Sequence, residues 1–264
     1  MKIAQRAIAP IPSSFSTNLK LGKSFRPLTF LGMLLALALC APGMARAASI
    51  VSGQTLGGTI TLTGQTDTWT FAASAGQAIV VRVGNASTTN TSFVPKITLT
   101  TPVSTTQGTT FGAAAAEIAV TATNTGTFTV SISDSAGTHT GPYILSLALS
   151  GEAVTVSPGF QGGPMTNGNM HTGTVIEGGL EEWTFNATAG EAIVVRVGEI
   201  TSTNSFTPWV RLYDPSGTRL GSSAGGFAAE IAVHATNSGT FVVVVGDDNG
   251  ALSGSGNYRL TLAD

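Results

Sequence analysis

The sequence predicts an all-β protein with two tandem β-sandwich domains, because it contains one long internal repeat, alternating apolar residues and no helical period. The nine residues that begin at Gly76 return at Gly190 with eight identities, and the 13 that begin at Ala116 return at Ala229 with 11. The two offsets are 114 and 113 residues. A period of that length suits a whole small domain and is too long for a solenoid unit.

Each copy is predicted to consist of short strands, since apolar and polar residues alternate between turn residues. The apolar sets of the first copy are Trp69 and Phe71; Ile79, Val81 and Val83; Phe93, Pro95, Ile97 and Leu99; Ile118, Val120 and Ala122; Phe128, Val130 and Ile132; and Tyr143, Leu145, Leu147 and Leu149. Those of the second copy are Trp183 and Phe185; Ile193, Val195 and Val197; Phe206, Pro208, Val210 and Leu212; Ile231, Val233 and Ala235; Phe241, Val243 and Val245; and Tyr258, Leu260 and Leu262. Many short strands with regular turns predict a two-sheet sandwich. The Trp and Phe residues that recur in phase are predicted core.

Residues 1–47 have the pattern of a secretory signal peptide. The first 26 residues contain five basic residues and no acidic one, an apolar run covers residues 28–40, and Ala45-Arg46-Ala47 is a small-residue cleavage site. The apolar run is short for a membrane span, so we predict no span after cleavage. An uncleaved anchor is the alternative, and Leu39 before Cys40 argues against a lipoprotein.

The predicted domains are residues 48–149 and 170–264, joined by a linker at 150–169. Seven of the 20 linker residues are Gly or Pro. Pro158-Gly159 and Gly162-Gly163-Pro164 should therefore resist regular structure. Relative motion of the two domains is the default expectation.

Composition excludes some functions. Six basic and 14 acidic residues follow Ala47, which gives a net charge of −8 and argues against a nucleic-acid partner. Cys40 is the only cysteine, so no disulfide is expected in the exported chain, and each domain must be held together by packing.

The order of motifs resembles the bacterial pre-peptidase C-terminal domain. An acidic residue precedes an aromatic-x-Phe strand, followed by Ala-Gly-Gln/Glu and a valine-rich strand. Then come Leu212-Tyr213-Asp214-Pro215-Ser216-Gly217-Thr218, Asn-x-Gly-Thr-Phe and a Gly-x-Tyr-x-Leu strand. The first copy departs from this order at Leu99-Thr100-Thr101-Pro102. The resemblance implies a jelly-roll-like sandwich in a secreted protein. In that family the domain usually follows a hydrolase, and some relatives bind collagen or polysaccharide.

No catalytic motif is recognisable, so we expect no enzyme activity. The three histidines are His139 and His171, predicted in loops, and His234, predicted on a strand. Arg82 and Glu117 recur as Arg196 and Glu230. If their strands are neighbours, each pair should form an exposed ion pair that adds little stability.

Two candidate binding sites remain. Asp134 and the run Asp247-Asp248-Asn249 follow corresponding strands and offer oxygen ligands for calcium, although such residues also form ordinary turns; no other cofactor is indicated. Trp209, Arg211 and Tyr213 should share the outer face of one strand, where they are able to stack on sugar rings or hold a peptide. The alternative is that Trp209 covers the sandwich edge or packs against the linker or the other domain.

These observations favour a secreted or cell-surface, non-catalytic binding protein whose ligand is an extracellular polysaccharide or protein. A structural envelope or surface spacer is a second hypothesis, and an accessory domain pair that serves a separately encoded secreted peptidase is a third. A hydrolase hidden in surface loops, dependent on His234, is the enzymatic alternative. The oligomeric state is not indicated by the sequence.

Overall fold

The computed structural model describes residues 47–87 and 89–264. Within these residues the chain forms 18 β-strands and no helix, which confirms the predicted all-β class. The same residues contain no helix long and apolar enough to cross a membrane. The predicted signal peptide lies outside the described residues except for Ala47, the first residue of β1.

The first sandwich consists of the strands β1 (Ala47–Ser49), β2 (Thr55–Ile60), β3 (Thr66–Ala73), β4 (Ala78–Asn85), β5 (Pro95–Thr100), β6 (Thr106–Phe111), β7 (Ala115–Thr121), β8 (Gly126–Asp134) and β9 (Gly141–Leu149). Sheet A has the order β1-β3-β8-β5-β6, and sheet B has the order β2-β9-β4-β7. The strands β2 to β9 therefore form two four-stranded sheets in the jelly-roll order, in which consecutive strands change sheet except at the β5–β6 hairpin. Strand β1 pairs in parallel with β3 at the edge of sheet A.

The second sandwich repeats this order in the strands β10 (Gly163–Pro164), β11 (Met170–Val175), β12 (Glu181–Ala187), β13 (Ala192–Ser202), β14 (Pro208–Tyr213), β15 (Arg219–Ala224), β16 (Ala228–His234), β17 (Gly239–Asp247) and β18 (Gly256–Ala263). Sheet C has the order β10-β12-β17-β14-β15, and sheet D has the order β11-β18-β13-β16. The tandem jelly-roll-like fold predicted from the repeat is confirmed.

Each sandwich encloses its own apolar core. The cores lie between sheets A and B and between sheets C and D, and they are built from the alternating residues identified in the sequence. Trp69, Phe71, Trp183 and Phe185 are buried, as predicted. In each copy the Phe of the aromatic strand stacks on the Phe of the neighbouring strand, with ring centroids 5.6 Å apart in the first copy and 5.4 Å in the second.

The segment between the sandwiches is bound to both of them. Thr155 N–H donates to the Ser52 carbonyl (2.8 Å), and Gln161 N–H donates to Glu181 Oε1 (3.2 Å). Gly163 and Pro164 pair in parallel with β12, so the expectation that they resist regular structure is wrong. Proline is tolerated there because an edge strand does not need every N–H as a donor.

The Tyr-Asp-Pro turn differs between the copies for a visible reason. Asp214 Oδ1 accepts hydrogen bonds from the N–H groups of Ser216 and Thr218, both at 2.9 Å. In the first copy Thr101 occupies the corresponding position, and its Oγ1 accepts a hydrogen bond from Thr105 N–H at 3.2 Å. A hydroxyl thus replaces the carboxylate as the acceptor that closes the turn.

Candidate functional site

The predicted aromatic site is buried, which corrects the expectation that it faces solvent. Trp209 and Tyr213 do lie on the outer face of sheet C, but Trp209 is only 3% exposed because sheet B of the first sandwich covers this face. The apolar part of the contact consists of Ala78, Val80 and Ala148 from sheet B, together with Leu180, Trp209, Tyr213, Val242 and Val244 from the second sandwich. The described residues belong to one compact unit, with the sheets stacked in the order A, B, C, D. Trp209 packs against the other domain, which was the alternative to a solvent-exposed site.

Two arginines and one glutamate form the polar centre of this domain interface. Glu117 of β7 makes ion pairs with Arg82 of its own sandwich and with Arg211 of the other, each at 2.7 Å. Arg82 Nη1 also donates to the carbonyl oxygen of Asp247 across the interface (3.2 Å). The guanidinium carbon of Arg211 lies 3.9 Å from the ring centroid of Trp209, and that of Arg82 lies 5.4 Å from it. The indole is therefore held between two cations.

The electrostatic balance at Glu117 favours the charged form. Burial alone would raise the pKa of this carboxyl, but the guanidinium groups of Arg82 and Arg211 outweigh burial and hold the pKa below its ordinary value. The carboxylate is therefore ionised at neutral pH and compensates two cations. Removing it would leave both cations in the interface without a counter-charge.

The corresponding ion pair of the second sandwich, Arg196 with Glu230, is not covered by another described domain. Arg196 pairs with Glu230 in the same register as Arg82 with Glu117, so the predicted cross-strand pairing is confirmed in both copies. The side chain of Arg196 is 63% exposed, whereas that of Arg82 is 2% exposed. The expectation of an exposed pair is thus correct for the second copy and wrong for the first, because the other sandwich covers it.

A second polar contact crosses the interface at Glu182. Ser52 Oγ donates to Glu182 Oε2 at 2.6 Å and accepts a hydrogen bond from Leu149 N–H at 2.7 Å. Burial raises the pKa of Glu182 to about 8, and the hydrogen bond from Ser52 offsets this only in part. The carboxyl is therefore largely protonated at neutral pH.

The acidic residues proposed for calcium stabilise loops instead. Asp134 is buried and accepts hydrogen bonds from the N–H groups of Val94, Thr138 and His139. Burial would raise the pKa of Asp134, but these donors outweigh it and lower the pKa. N–H groups directed at both carboxylate oxygens leave little room for a cation, so this arrangement does not fit calcium.

Asp247 plays the same part in the second copy. Its carboxylate accepts hydrogen bonds from the N–H groups of Thr207, Asn249 and Gly254, while Asp248 is exposed. Asn249 Oδ1 accepts from Ala251 N–H and Ser253 N–H. Across residues 47–87 and 89–264, no group of three or more His, Cys, Asp or Glu side chains is arranged to hold a metal ion.

One repeated polar network was not foreseen from the sequence. Trp69 Nε1 donates to Tyr143 Oη (2.9 Å), and Tyr143 Oη donates to Asp67 Oδ2 (2.8 Å). In the second copy the same chain runs from Trp183 through Tyr258 to Glu181. The signal was present in the sequence, because the acid, the Trp and the Tyr all recur in phase. Their separation of about 75 residues conceals the contact until the strands pair.

The outer face of sheet A is a regular polar surface of the first sandwich. Thr109, Thr98, Ser131 and Thr68 form one row across four strands, in direct register. We call this surface the hydroxyl face; its outward Ser and Thr residues are Thr66, Thr68, Thr70, Thr98, Thr100, Thr106, Thr109, Thr127, Thr129, Ser131 and Ser133. Lys96 and the exposed Phe111 pair with each other at one end of it. In the second sandwich the equivalent face carries Trp209 and Arg211 and is covered.

The three histidines lie in different parts of the fold, and His139 Nδ1 lies 3.1 Å from Thr138 Oγ1. His139 Nδ1 lies 3.5 Å from Asp134 Oδ2, in the loop that Asp134 stabilises. His171 lies on β11 rather than in the predicted loop, and its ring centroid is 5.1 Å from that of Trp183. His234 ends β16 and is exposed.

A cleft of about 450 Å³ lies beside the interface, and the described residues that line it include Thr121, Tyr213 and Arg219 but no carboxylate or histidine.

Comparison with known proteins gives structural similarities only. No family model matches the chain. No curated protein matches it either. One similar solved structure is the pre-peptidase C-terminal domain of collagenase from Bacillus anthracis, at 18% identity and a TM-score of 0.33, over 40% of this chain and 98% of that one.

Two tandem-domain structures are also similar. The CBM22-1-CBM22-2 tandem domain of Xyn10C from Paenibacillus barcinonensis has 8% identity and a TM-score of 0.24, over 83% of this chain and 89% of that one. The CUB1-EGF-CUB2 domains of rat MASP-1 have 10% identity and a TM-score of 0.21, over 82% and 100%. The assignment to β-sandwich domains rests on the strand order of the chain itself.

Proposed function

We propose that this chain is an exported, non-catalytic protein of the cell surface or extracellular matrix that binds a polysaccharide through its hydroxyl face. The observation that carries the proposal is the row of Thr109, Thr98, Ser131 and Thr68, which presents hydroxyl groups in register on a sheet face that no other described sheet covers. The surface predicted from the sequence, around Trp209, is occupied by the first sandwich and is not available for a ligand.

The spacing of the hydroxyl face favours a repeating ligand. Neighbouring strands in a sheet are about 4.8 Å apart, and residues on one face of a strand repeat about every 6.8 Å. Each hydroxyl both donates and accepts hydrogen bonds, as the hydroxyls of a sugar do. A small molecule normally binds in a concave pocket, whereas a flat array of donors and acceptors suits an extended polymer.

Phe111 and Lys96 add two further contacts at one end of the hydroxyl face. An exposed phenylalanine supplies an apolar surface on which a sugar ring can stack, and the lysine supplies a cation for an acidic or hydroxylated group. Binding without turnover is consistent with the structural use of Asp134, Asp247 and Glu117 in loops and in the interface.

The test is retention of the purified protein by insoluble polysaccharides of several compositions, with collagen as the protein arm. The double variant Thr98→Val and Ser131→Ala removes two central hydroxyls with little change in shape. We expect affinity to fall at least about tenfold, a loss of roughly 1.4 kcal/mol. The matched control is Thr261→Val on the outer face of sheet D, which should bind as the wild type does. Equal retention of the double variant, or retention by collagen alone, would contradict the proposal.

A structural spacer is the second candidate, and the packed interface favours it. Glu117, Arg82 and Arg211 fix one sandwich against the other, so the pair acts as one unit rather than as two modules on a flexible linker. A spacer in a surface layer should associate with its own copies without any ligand. Sedimentation of the pure protein as a monomer at high concentration would argue against this role.

The pre-peptidase C-terminal family and the role of an accessory pair for a secreted peptidase remain a proposal. The turn at Tyr213-Asp214-Pro215 supports the family, because Asp214 makes the backbone hydrogen bonds that such a turn motif requires. The signal-peptide pattern of residues 1–47 supports the accessory role, because it predicts export. Recovery of a peptidase together with the tagged protein from the culture medium would support this role, and recovery of the tagged protein alone would count against it.

A further inference from the structure

The outer face of sheet D repeats the docking face of sheet B. The docking face is the part of sheet B that contacts the second sandwich, and it includes Ala78, Val80, Arg82, Gly84, Glu117, Ser146 and Ala148. The same positions of sheet D carry Ala192, Val194, Arg196, Gly198, Glu230, Thr261 and Ala263, identical at six of the seven, with Thr261 in place of Ser146. Arg259 also lies on this face, opposite Gly198, where sheet B has Ile144. The two sets lie in the same register, since Arg196 pairs with Glu230 as Arg82 pairs with Glu117.

No second domain in the described part of the chain covers this repeated face. Arg196 and Glu230 have side chains 63% and 41% exposed, against 2% and 11% for Arg82 and Glu117. Met170 also lies on this face, opposite Thr261, and is 65% exposed. Together with Ala192, Val194 and Ala263 it adds apolar area to this face, and contiguous exposed apolar area marks interaction surfaces.

The first sandwich shows what such a face binds. The docking face of sheet B is covered by an outer sheet face in which Arg211 lies between Trp209 and Tyr213, next to Val242 and Val244. The glutamate of the docking face pairs with the arginine of the opposing strand, and the small residues pack against the aromatic rings.

A second copy of this chain offers no free face of that kind. Its sheet C is already covered, and its sheet A has Lys96, Thr98 and Thr100 where sheet C has Trp209, Arg211 and Tyr213. A hydroxyl-lined face cannot supply the aromatic packing or the arginine partner that Glu117 has in this chain. A face with the aromatic residues and the arginine therefore has to come from a domain other than the two described.

We infer that the outer face of sheet D is a docking surface for a β-sheet face of a separate protein, one that presents an arginine flanked by aromatic side chains. Glu230 would pair with that arginine while it keeps its own Arg196, as Glu117 pairs with both Arg82 and Arg211. Ala192, Val194 and Ala263 would receive the aromatic rings. Gly198 would permit the close approach that Gly84 permits at Gly178 once the exposed side chain of Arg259, whose Nε lies 3.2 Å from the Cβ position of Gly198, moves aside.

A variant of the full chain in which the two sandwiches are separated would expose Arg211 between Trp209 and Tyr213. It can therefore serve as a probe for the outer face of sheet D. A Cβ at Gly84 would lie 2.8 Å from Gly178 Cα and 2.9 Å from Glu177 O. Gly84→Glu should therefore separate the sandwiches and expose the outer face of sheet C. Arg196→Glu in the same variant should prevent binding through the outer face of its own sheet D. Acrylamide quenching of tryptophan fluorescence checks the opening, since Trp209 becomes accessible while Trp69 and Trp183 stay in the cores. If Trp209 remains protected, Val80→Asp replaces Gly84→Glu.

The measurement is sedimentation of fluorescent wild-type protein titrated with the probe. We expect a one-to-one complex that Arg196→Glu in the wild-type partner weakens at least about tenfold. Lys96→Glu, which makes the same change of charge on sheet A, should leave the complex unchanged. No complex with an open probe would overturn the inference. Dimers of the wild type alone that disappear with Arg196→Glu would also overturn it, because a second copy would then be the occupant.

Discussion

Ser52 of the first sandwich donates a hydrogen bond of 2.6 Å to Glu182 of the second, and both side chains are buried where the two domains meet. Glu182 Oε1 has no hydrogen-bond partner, so this carboxyl is only half satisfied. A buried carboxyl with one donor and no cation is more stable in its protonated form. The contact therefore makes the domain interface sensitive to pH.

Stability is expected to fall as the pH rises through the neutral range. The pKa of Glu182 is about 8 in the folded protein, against an ordinary value of 4.5. The folded state therefore binds the proton more tightly than the unfolded state. This contribution is complete below pH 4.5 and is lost as the pH rises through 8. Glu181, whose pKa burial raises to about 7, acts in the same direction. Thermal unfolding between about pH 5 and pH 9 measures the effect.

Glu182→Gln isolates the contribution of Glu182. Glutamine keeps an acceptor for Ser52 but cannot ionise, so we expect the melting temperature to depend less on pH and to exceed that of the wild type by a few degrees at about pH 9. Glu230→Gln, an exposed control, should follow the wild-type profile. A Glu182→Gln profile as steep as that of the wild type would show that other groups cause the pH dependence.

Trp209→Ala is predicted to lower the free energy of unfolding and to leave the affinity for polysaccharide unchanged. The indole fills the interface between two guanidinium groups, so truncation should lower the free energy of unfolding by about 3–5 kcal/mol. Urea denaturation measures that loss. Retention on polysaccharide at a temperature where the variant is folded should equal that of the wild type. A variant that is as stable as the wild type but no longer binds would restore the sequence-based hypothesis of a ligand site at Trp209.

The fold was predictable from the sequence because its main signals are local. Alternation along each strand identified the inward residues, and the repeat showed that Trp69 and Trp183 occupy equivalent positions. The pairing of Arg82 with Glu117 followed from one assumption, that their strands are neighbours. These inferences succeed because side-chain direction in a strand is fixed by a period of two.

The domain interface was not predictable, because the same strand sequence is buried in one copy and exposed in the other. Arg82 and Arg196 lie in nearly identical segments, yet one is buried and the other is exposed. What differs is the opposing surface, and alternation cannot show whether an outward residue meets water or another domain. Trp209, Arg211 and Tyr213 were placed correctly on an outer face and wrongly in solvent for this reason. The contrast with Lys96, Thr98 and Thr100 was the one sequence signal that this face differs between the copies.

Glu117→Gln and Glu230→Gln form a matched pair that measures what burial adds to an ion pair. Glu117 compensates two cations in the interface, so its loss should cost about 3–5 kcal/mol of unfolding free energy. Glu230 pairs with one exposed arginine, and its loss should cost less than about 1 kcal/mol. Chemical denaturation of both variants gives the comparison. Equal costs would mean that the first sandwich does not dock on the second in solution.

Gly84→Ala and Gly198→Ala test the same interface through the backbone. The added methyl group at Gly84 would meet Gly178 Cα at 2.8 Å and Glu177 O at 2.9 Å, both backbone atoms that cannot move aside without shifting the domain. We expect a loss of about 1–3 kcal/mol. At Gly198 the nearest atom is Arg259 Nε at 3.2 Å, the end of a flexible and exposed side chain. Alanine there should change stability by no more than about 0.5 kcal/mol. Urea denaturation of both variants measures the two losses of unfolding free energy. If both losses are small, the sandwiches do not approach closely at Gly84. The interface around Glu117 would then be looser than its distances indicate.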